Sequence, residues 1–184
     1  FNDVDGRYPA FAKGSPILTM EEGRDYYDDY SMWDTYRALH PLLNIIDRKR
    51  SADMMNSLVL KAEQGGWLPI FPCWNSYTAA MIGDHCIAAL ADAHIKGVGG
   101  FDIRRAYRAM RRNAFESPAD EADYRNGMGR RALRSYLQYG YIPLEDSVKD
   151  AYHQREQVSR TLEYAFDDFC LAQVARSLGI HSDA

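Results

Sequence analysis

Trp33, Asp34 and Arg37 stand close together in the stretch Tyr30-Ser31-Met32-Trp33-Asp34-Thr35-Tyr36-Arg37-Ala38-Leu39-His40-Pro41, with Asp28 and Asp29 just upstream. An aromatic plate beside a carboxylate and a guanidinium can hold a sugar: the ring stacks, and the charged groups take hydroxyl hydrogen bonds. The same residues also read as a helix start. Ser31 can cap it, Asp34 can return a bond to the cap as a capping-box variant, and a carboxylate in the first turn suits the helix dipole. Asp34 and Arg37 then form an i, i+3 pair. From these residues alone both readings stand.

Other candidates follow along the chain. Asp84 and His85 lie inside TAAMIGDHCIAALADAHI (78–95), together with Asp92. A helix apolar all round is buried all round, and a buried charge needs a partner or a task. Glu163 and Asp167 fall at i, i+4 in the last helical stretch with Asp168 beside them, the pattern of a polar network on an inner helix. Trp67 and Asn75 bracket a loop containing Pro69, Pro72 and Trp74, a stiff wall rather than a flexible linker. Asp3-Val4-Asp5-Gly6 opens like a calcium loop but lacks the further oxygen ligands and distal Glu of an EF-hand. Cys73, Cys86 and Cys170 have no metal-type spacing, and the last two fall on apolar helices as inert thiols.

The 184 residues suffice for one domain with a core, and 46% hydrophobic with 26% charged content is that of an ordinary globular chain. A net charge of -4 leaves no basic stripe. The densest basic run, Arg104 to Arg112, sits on one amphipathic helix and is answered by Glu116, Asp120 and Glu121, which argues against nucleic acid as a partner. No apolar run is long enough to span a membrane as a helix. Aromatic residues reach 12%, including 13 Tyr and 3 Trp, a surplus that suits carbohydrate sites and large cores alike. The chain opens on Phe1 and ends shortly after a helical stretch, so both ends read as cut from something longer, and no targeting signal is read from them.

Periodicity and punctuation set the elements. Residues 1–30 read as an irregular lead-in broken by Pro9, Gly14, Pro16 and Gly23. Helices are expected over about 31–47 with a kink at Pro41, 51–64 ending at Gly65-Gly66, 76–96, 102–115, 130–139 and 157–178. No strand-period segment competes with them. Buried helices alternate with half-buried ones such as 102–115, whose apolar stripe is Ile103, Ala106, Tyr107 and Met110. A simple bundle would give every helix a wet face. The alternation instead predicts an all-α fold, about half of an (α/α)6 toroid with paired inner and outer helices. Its inner helices (31–47, 76–96 and 157–178) run parallel, so the N-termini with Trp33-Asp34, Tyr77-Thr78 and Ser159 gather at one rim.

In order and spacing, DVDGRY (3–8), YSMWDTYRALHPLL (30–43), GGWLP (65–69), SYTAAMIGDH (76–85), LADAHIKG (90–97), YGYIP (139–143) and SRTLEYAFDDFCLAQVARSLG (159–179) resemble one family. It is glycoside hydrolase family 92, the calcium-dependent exo-acting α-mannosidases, and the resemblance covers nearly the whole chain. It implies a catalytic (α/α)6 barrel packed on an upstream β-sandwich, inverting chemistry, and a calcium ion that binds mannose hydroxyls. It also implies a secreted or periplasmic protein acting on mannose-containing glycans. The family's acid lies in an EGN-type stretch and its base in a GNDD-type stretch. Neither motif occurs in 1–184, so no catalytic and no metal-binding residue is carried over, and residues 1–184 are expected to be part of the catalytic helical domain, with the rest of the parent chain packing on it. Trp33 and Asp34 match the family's W-D pair, which resembles a contact for the terminal mannose. Arg37 is expected to orient Asp34, while Trp67, Asn75, Asp84 and His85 are expected as further parts of the pocket wall.

Two other readings compete with the enzyme segment. One is a non-catalytic helical carbohydrate-binding or interaction module. The other is a different (α/α)6 glycosidase, with its acid and base among Asp34, Asp84, Glu163 and Asp167. The segment alone is expected to be inactive.

Overall fold

The computed structural model describes residues 2–11 and 13–184; Phe1 and Ala12 lie outside the described residues. Two three-residue strands, β1 (Arg7–Pro9) and β2 (Ile17–Thr19), pair antiparallel with Tyr8 opposite Leu18. They correct the expectation of an irregular lead-in; strands this short, one of them containing Pro9, leave no period-2 signal. The hairpin and the chain after it are tied to the helix Arg48–Gly65. Gln64 Oε1 accepts from the Phe11 N–H at 2.8 Å, its Nε2 donates to the Tyr8 hydroxyl at 2.9 Å, and buried Lys61 donates to the Tyr26 hydroxyl at 2.6 Å. Asp3 and Asp5 accept the N–H groups of Val4 and Arg7, so DVDG is a turn closed by its own carboxylates.

The expected first helix is two: α1 (Met32–Thr35) and α2 (Leu39–Ile46). Pro41 does not kink a continuous helix. Its ring would meet the carbonyl four residues back, so the chain breaks upstream and Pro41 takes a place in the first turn of α2, where a missing N–H costs nothing. Helix α3 (Arg48–Gly65) is capped by Asp47, which accepts from the Arg50 N–H at 3.1 Å, and stops at Gly66 in the left-handed conformation, φ 92°. Helix α4 (Cys86–Ile95) is ten residues long, where the apolar string predicted a helix from 76. Residues 76–85 are irregular because the backbone turns left-handed at Met81 (φ 63°) and Gly83 (φ 82°). Helix α5 (Ile103–Phe115) falls within the expected 102–115 and is capped by Asp102. Short α6 (Glu121–Arg125) occupies the expected polar break, α7 (Leu133–Tyr139) begins after Ala132 in the left-handed region, and α8 (Gln157–Ser177) closes the helical order. A 3-10 turn, His181–Asp183, follows.

Pairwise contacts fix the directions. Tyr36 meets His85 and Asn44 meets Asp92; His85 meets Asp167 and His94 meets Ser177. Thus α2, α4 and α8 run parallel, with α4 packed against both others. Helix α3 runs the opposite way, from Arg48 against the end of α4 at Gly97 to Pro69, whose carbonyl receives the Cys86 thiol at the start of α4. Helix α5 matches α3 in direction: Arg105 pairs with Glu63, and Asn113 bonds Leu68. The fold is therefore all-α apart from the hairpin, with parallel helices in one layer and reversed partners in the next, the arrangement of a partial α/α toroid. The main core of Met32, Met55, Leu58, Ile87, Leu90, Met110, Leu171 and Val174 lies between the layers.

Candidate functional site

Two polar regions meet at the N-terminal end of the parallel layer. The first is α1 and the turn after it. Ser31 makes no side-chain cap. The Asp34 carboxylate is exposed and, among the described residues, accepts no hydrogen bond and forms no ion pair. The capping-box reading is thereby corrected: neither the Ser31 nor the Asp34 side chain caps α1. Arg37 does not orient Asp34 either. The helix ends at Thr35, so the i, i+3 neighbourhood is lost. Arg37 folds back instead, donating from Nε to the Trp33 carbonyl at 3.1 Å, with its guanidinium carbon 4.4 Å from the Trp33 ring centre and 4.9 Å from that of Tyr36. Its Nη2 reaches Glu163 Oε1 at 3.5 Å. Trp33 is half-buried, and its indole Nε1 is buried without a partner among the described residues.

The second region is sealed. Asp84 is fully buried; its oxygens accept from Arg130 Nε at 2.9 Å and Asn113 Nδ2 at 3.2 Å, while its own N–H donates to Asp167 at 2.7 Å. Burial pushes the Asp84 and Asp167 carboxyls up, against the pull of Arg130 on one and His85 on the other. His85 lies between carboxylates, with Nδ1 3.1 Å from Asp167 and Nε2 3.0 Å from Glu163, the latter without the alignment of a hydrogen bond. Tyr36 stacks on the His85 ring at 3.8 Å and donates its hydroxyl to Glu163 at 3.1 Å. Gly83 is required here: a Cβ would stand 2.2 Å from His85 Nε2. Arg130 also binds Asp168 at 2.7 Å, and Asp168 takes the Tyr136 hydroxyl at 2.9 Å. Asp84 and Asp167 are thus fully buried, with every carboxylate oxygen held by Arg130, Asn113, His85 or the Asp84 N–H.

The other expected wall residues separate from these regions. Trp67 is buried with Phe11, Tyr77 and Met128, its ring covered by the Arg112 guanidinium at 4.2 Å. It is a core anchor rather than a rim plate. Asp84 and His85 stand behind the surface, not on it. Asn75, at φ 52°, donates to the Ala10 carbonyl at 3.0 Å and lines a cleft of about 650 Å³ with Gln64, Ser76, Tyr77 and Asp123; none of Trp33, Asp34 or Arg37 lines it. The exposed aromatic of that loop is Trp74 rather than Trp67. No helix N-terminus stands at Tyr77-Thr78, because α4 begins ten residues later than expected. Glu163 is the group that residue-by-residue reasoning left out of the wall; its i, i+4 spacing from Asp167 was the available signal.

The family model described as the glycosyl hydrolase family 92 catalytic domain matches residues 1–184. The chain belongs to that family. It is 37% identical to a family 92 α-mannosidase of Bacteroides thetaiotaomicron solved with mannoimidazole, which superposes with a TM-score of 0.83 over 100% of this chain and 22% of the other. An inverting family 92 mannosidase of Bacteroides thetaiotaomicron VPI-5482 is 26% identical, with a TM-score of 0.73 over 98% of this chain and 24% of that one. A protein of Arthroderma benhamiae named an uncharacterized secreted glycosidase is 30% identical over 118 residues, 62% of this chain and 14% of its own length. The chain thus spans less than a quarter of the relatives it matches. Among the described residues no three His, Cys, Asp or Glu side chains gather as a metal cage, and no helix is long and apolar enough to cross a membrane.

Proposed function

We propose that this chain is part of the catalytic barrel of an exo-acting α-mannosidase that removes terminal α-linked mannose with inversion. Trp33, Asp34 and Arg37 form one wall of its sugar site. The observation that carries this reading is the exposed Asp34 carboxylate, left without a partner among the described residues beside a half-buried Trp33 ring, in a family 92 chain. A terminal mannose stacks on Trp33, and its hydroxyls donate to Asp34. Inversion needs an acid and a base about 6.5–9.5 Å apart with water between base and anomeric carbon. Both come from parts of the parent chain other than 1–184, as do the ligands of the family's calcium ion. Among the described residues no group of His, Cys, Asp and Glu side chains forms a cage for that ion.

The same reading accounts for two helices that each leave an apolar face exposed. Helix α2 buries His40 and Asn44 while exposing Leu39, Leu42, Ile45 and Ile46; α8 buries Arg160 and Asp167 while exposing Val158, Leu162, Phe166 and Phe169. Contiguous apolar faces of this kind mark interfaces. They are where the remaining helical pairs of the barrel pack, completing six. An upstream β-sandwich and secretion or periplasmic export belong to the same proposal. The test is hydrolysis of α-linked mannobioses by the whole protein with and without a calcium chelator. Release of β-mannose, lost on chelation, is expected. No turnover in the presence of calcium would contradict the reading.

A further inference from the structure

We propose that Glu163 is an additional sugar-contact group of this wall, and that His85, backed by Asp167, is the residue that holds it in place. The inference rests on the mannosidase reading and names a contact that the sequence motifs did not assign.

Occupancy of the carboxylate oxygens carries the argument. Both oxygens of Asp84 are taken, by Arg130 and Asn113. Both oxygens of Asp167 are taken, by the Asp84 N–H and His85, and both of Asp168, by Arg130 and Tyr136. Glu163 Oε2 is held by the Tyr36 hydroxyl at 3.1 Å and faces His85 at 3.0 Å. Oε1 alone in the network has no partner closer than 3.5 Å, its one neighbour being the Arg37 guanidinium. Glu163 is also partly open, with 17% of its side chain exposed, where Asp84 and Asp167 have none. Oε1, held only by the long 3.5 Å contact from Arg37, therefore lies on the side of the residue that caps the Trp33 ring. A carboxylate with one oxygen pinned and the other only loosely paired is suited to a hydroxyl donor, because the pinned oxygen fixes where the other one points.

The support behind it is rigid. Asp167 fixes His85 through Nδ1, Tyr36 covers one face of the ring, and Gly83 leaves the only backbone that admits the ring there. With a carboxylate at each ring nitrogen, His85 is held whichever nitrogen carries the proton. His85 itself is buried and meets no solute, so it positions rather than contacts.

The experiment uses the whole protein with an α-mannobiose as substrate and mannoimidazole as the binding probe. Glu163→Gln keeps the shape and removes the charge. It should lower kcat/KM roughly tenfold to a hundredfold and weaken mannoimidazole by a similar factor, with the melting temperature within about 2 °C of wild type. His85→Ala should reproduce that loss, His85→Gln should recover part of it, and the double variant Glu163→Gln with His85→Ala should be no worse than Glu163→Gln alone. If His85→Ala does not fold, the Glu163→Gln kinetics still decide. Wild-type kinetics and inhibitor binding in Glu163→Gln overturn this inference while leaving the mannosidase reading intact. A wild-type protein inert toward both mannobiose and mannoimidazole overturns the two together.

Discussion

Asp84, just before α4, is fully buried with both carboxylate oxygens occupied, whereas Asp34, in the single turn of α1, is exposed with neither occupied. Each sits beside an aromatic or imidazole ring and near an arginine. In the sealed region Arg130 pairs with two carboxylates at once, and each oxygen of Asp84, Asp167 and Asp168 has a partner. In the open region Arg37 bypasses Asp34 for Trp33 and Glu163. The contrast teaches that residue type does not separate structural from binding carboxylates in this fold, while the fate of each oxygen does. Glu163 belongs to both regions, one oxygen in each.

The largest effect should follow from breaking the sealed side. Arg130→Met leaves Asp84 buried without its cation, and the whole protein should lose about 3–5 kcal/mol of stability in urea unfolding. A stable Arg130→Met protein with abolished turnover would instead make the sealed region catalytic and erase the contrast. Next comes His40, which is buried where α2 begins and lies 3.0 Å from Thr35 at the end of α1. Burial lowers its pKa from 6.5 to about 4. The fold thus favours neutral His40, so its contribution is present above pH 6.5 and is lost as pH falls toward 4, amounting to about 3 kcal/mol. Burial of Asp84 works in the other direction, so the readout is the difference between wild type and His40→Gln. The variant should show a flatter fall in stability between pH 6.5 and 4; equal slopes would refute the assignment. The smallest effect is a control away from both regions. Asp102 accepts from the Arg104 and Arg105 N–H groups at 2.9 and 3.0 Å, and Asp102→Ala should cost about 1 kcal/mol without altering kcat/KM.

Much of the fold was legible because helices α3, α5 and α8 carry long apolar stripes with clear stops. The parallel inner layer followed from the alternation of buried and half-buried helices. Helix α4 begins ten residues later than its apolar string predicts, since such a string looks the same whether it coils or lines a buried turn, and only Gly83 hints at the turn. Pro41 signalled a break but not its position. The hairpin was too short to read. At the site, the Glu163–Asp167 network was visible in the i, i+4 spacing. Its cation was not, because Arg130 arrives from 46 residues beyond Asp84. Trp67 and Trp74 were indistinguishable as residue types, and packing alone assigns one to the core and the other to solvent.

The contrast between a sealed and an open carboxylate is tested most directly by Asp34→Asn in the whole protein, with kinetics and melting measured on the same preparation. Asn keeps the size and the capping ability of Asp but gives up a charged acceptor, whose hydrogen bonds contribute about 1.5–3 kcal/mol. The account predicts that kcat/KM on an α-mannobiose falls roughly tenfold to a hundredfold while the melting temperature stays within about 2 °C. Unchanged kcat/KM with a lowered melting temperature would contradict it and return Asp34 to the role of a helix-end residue.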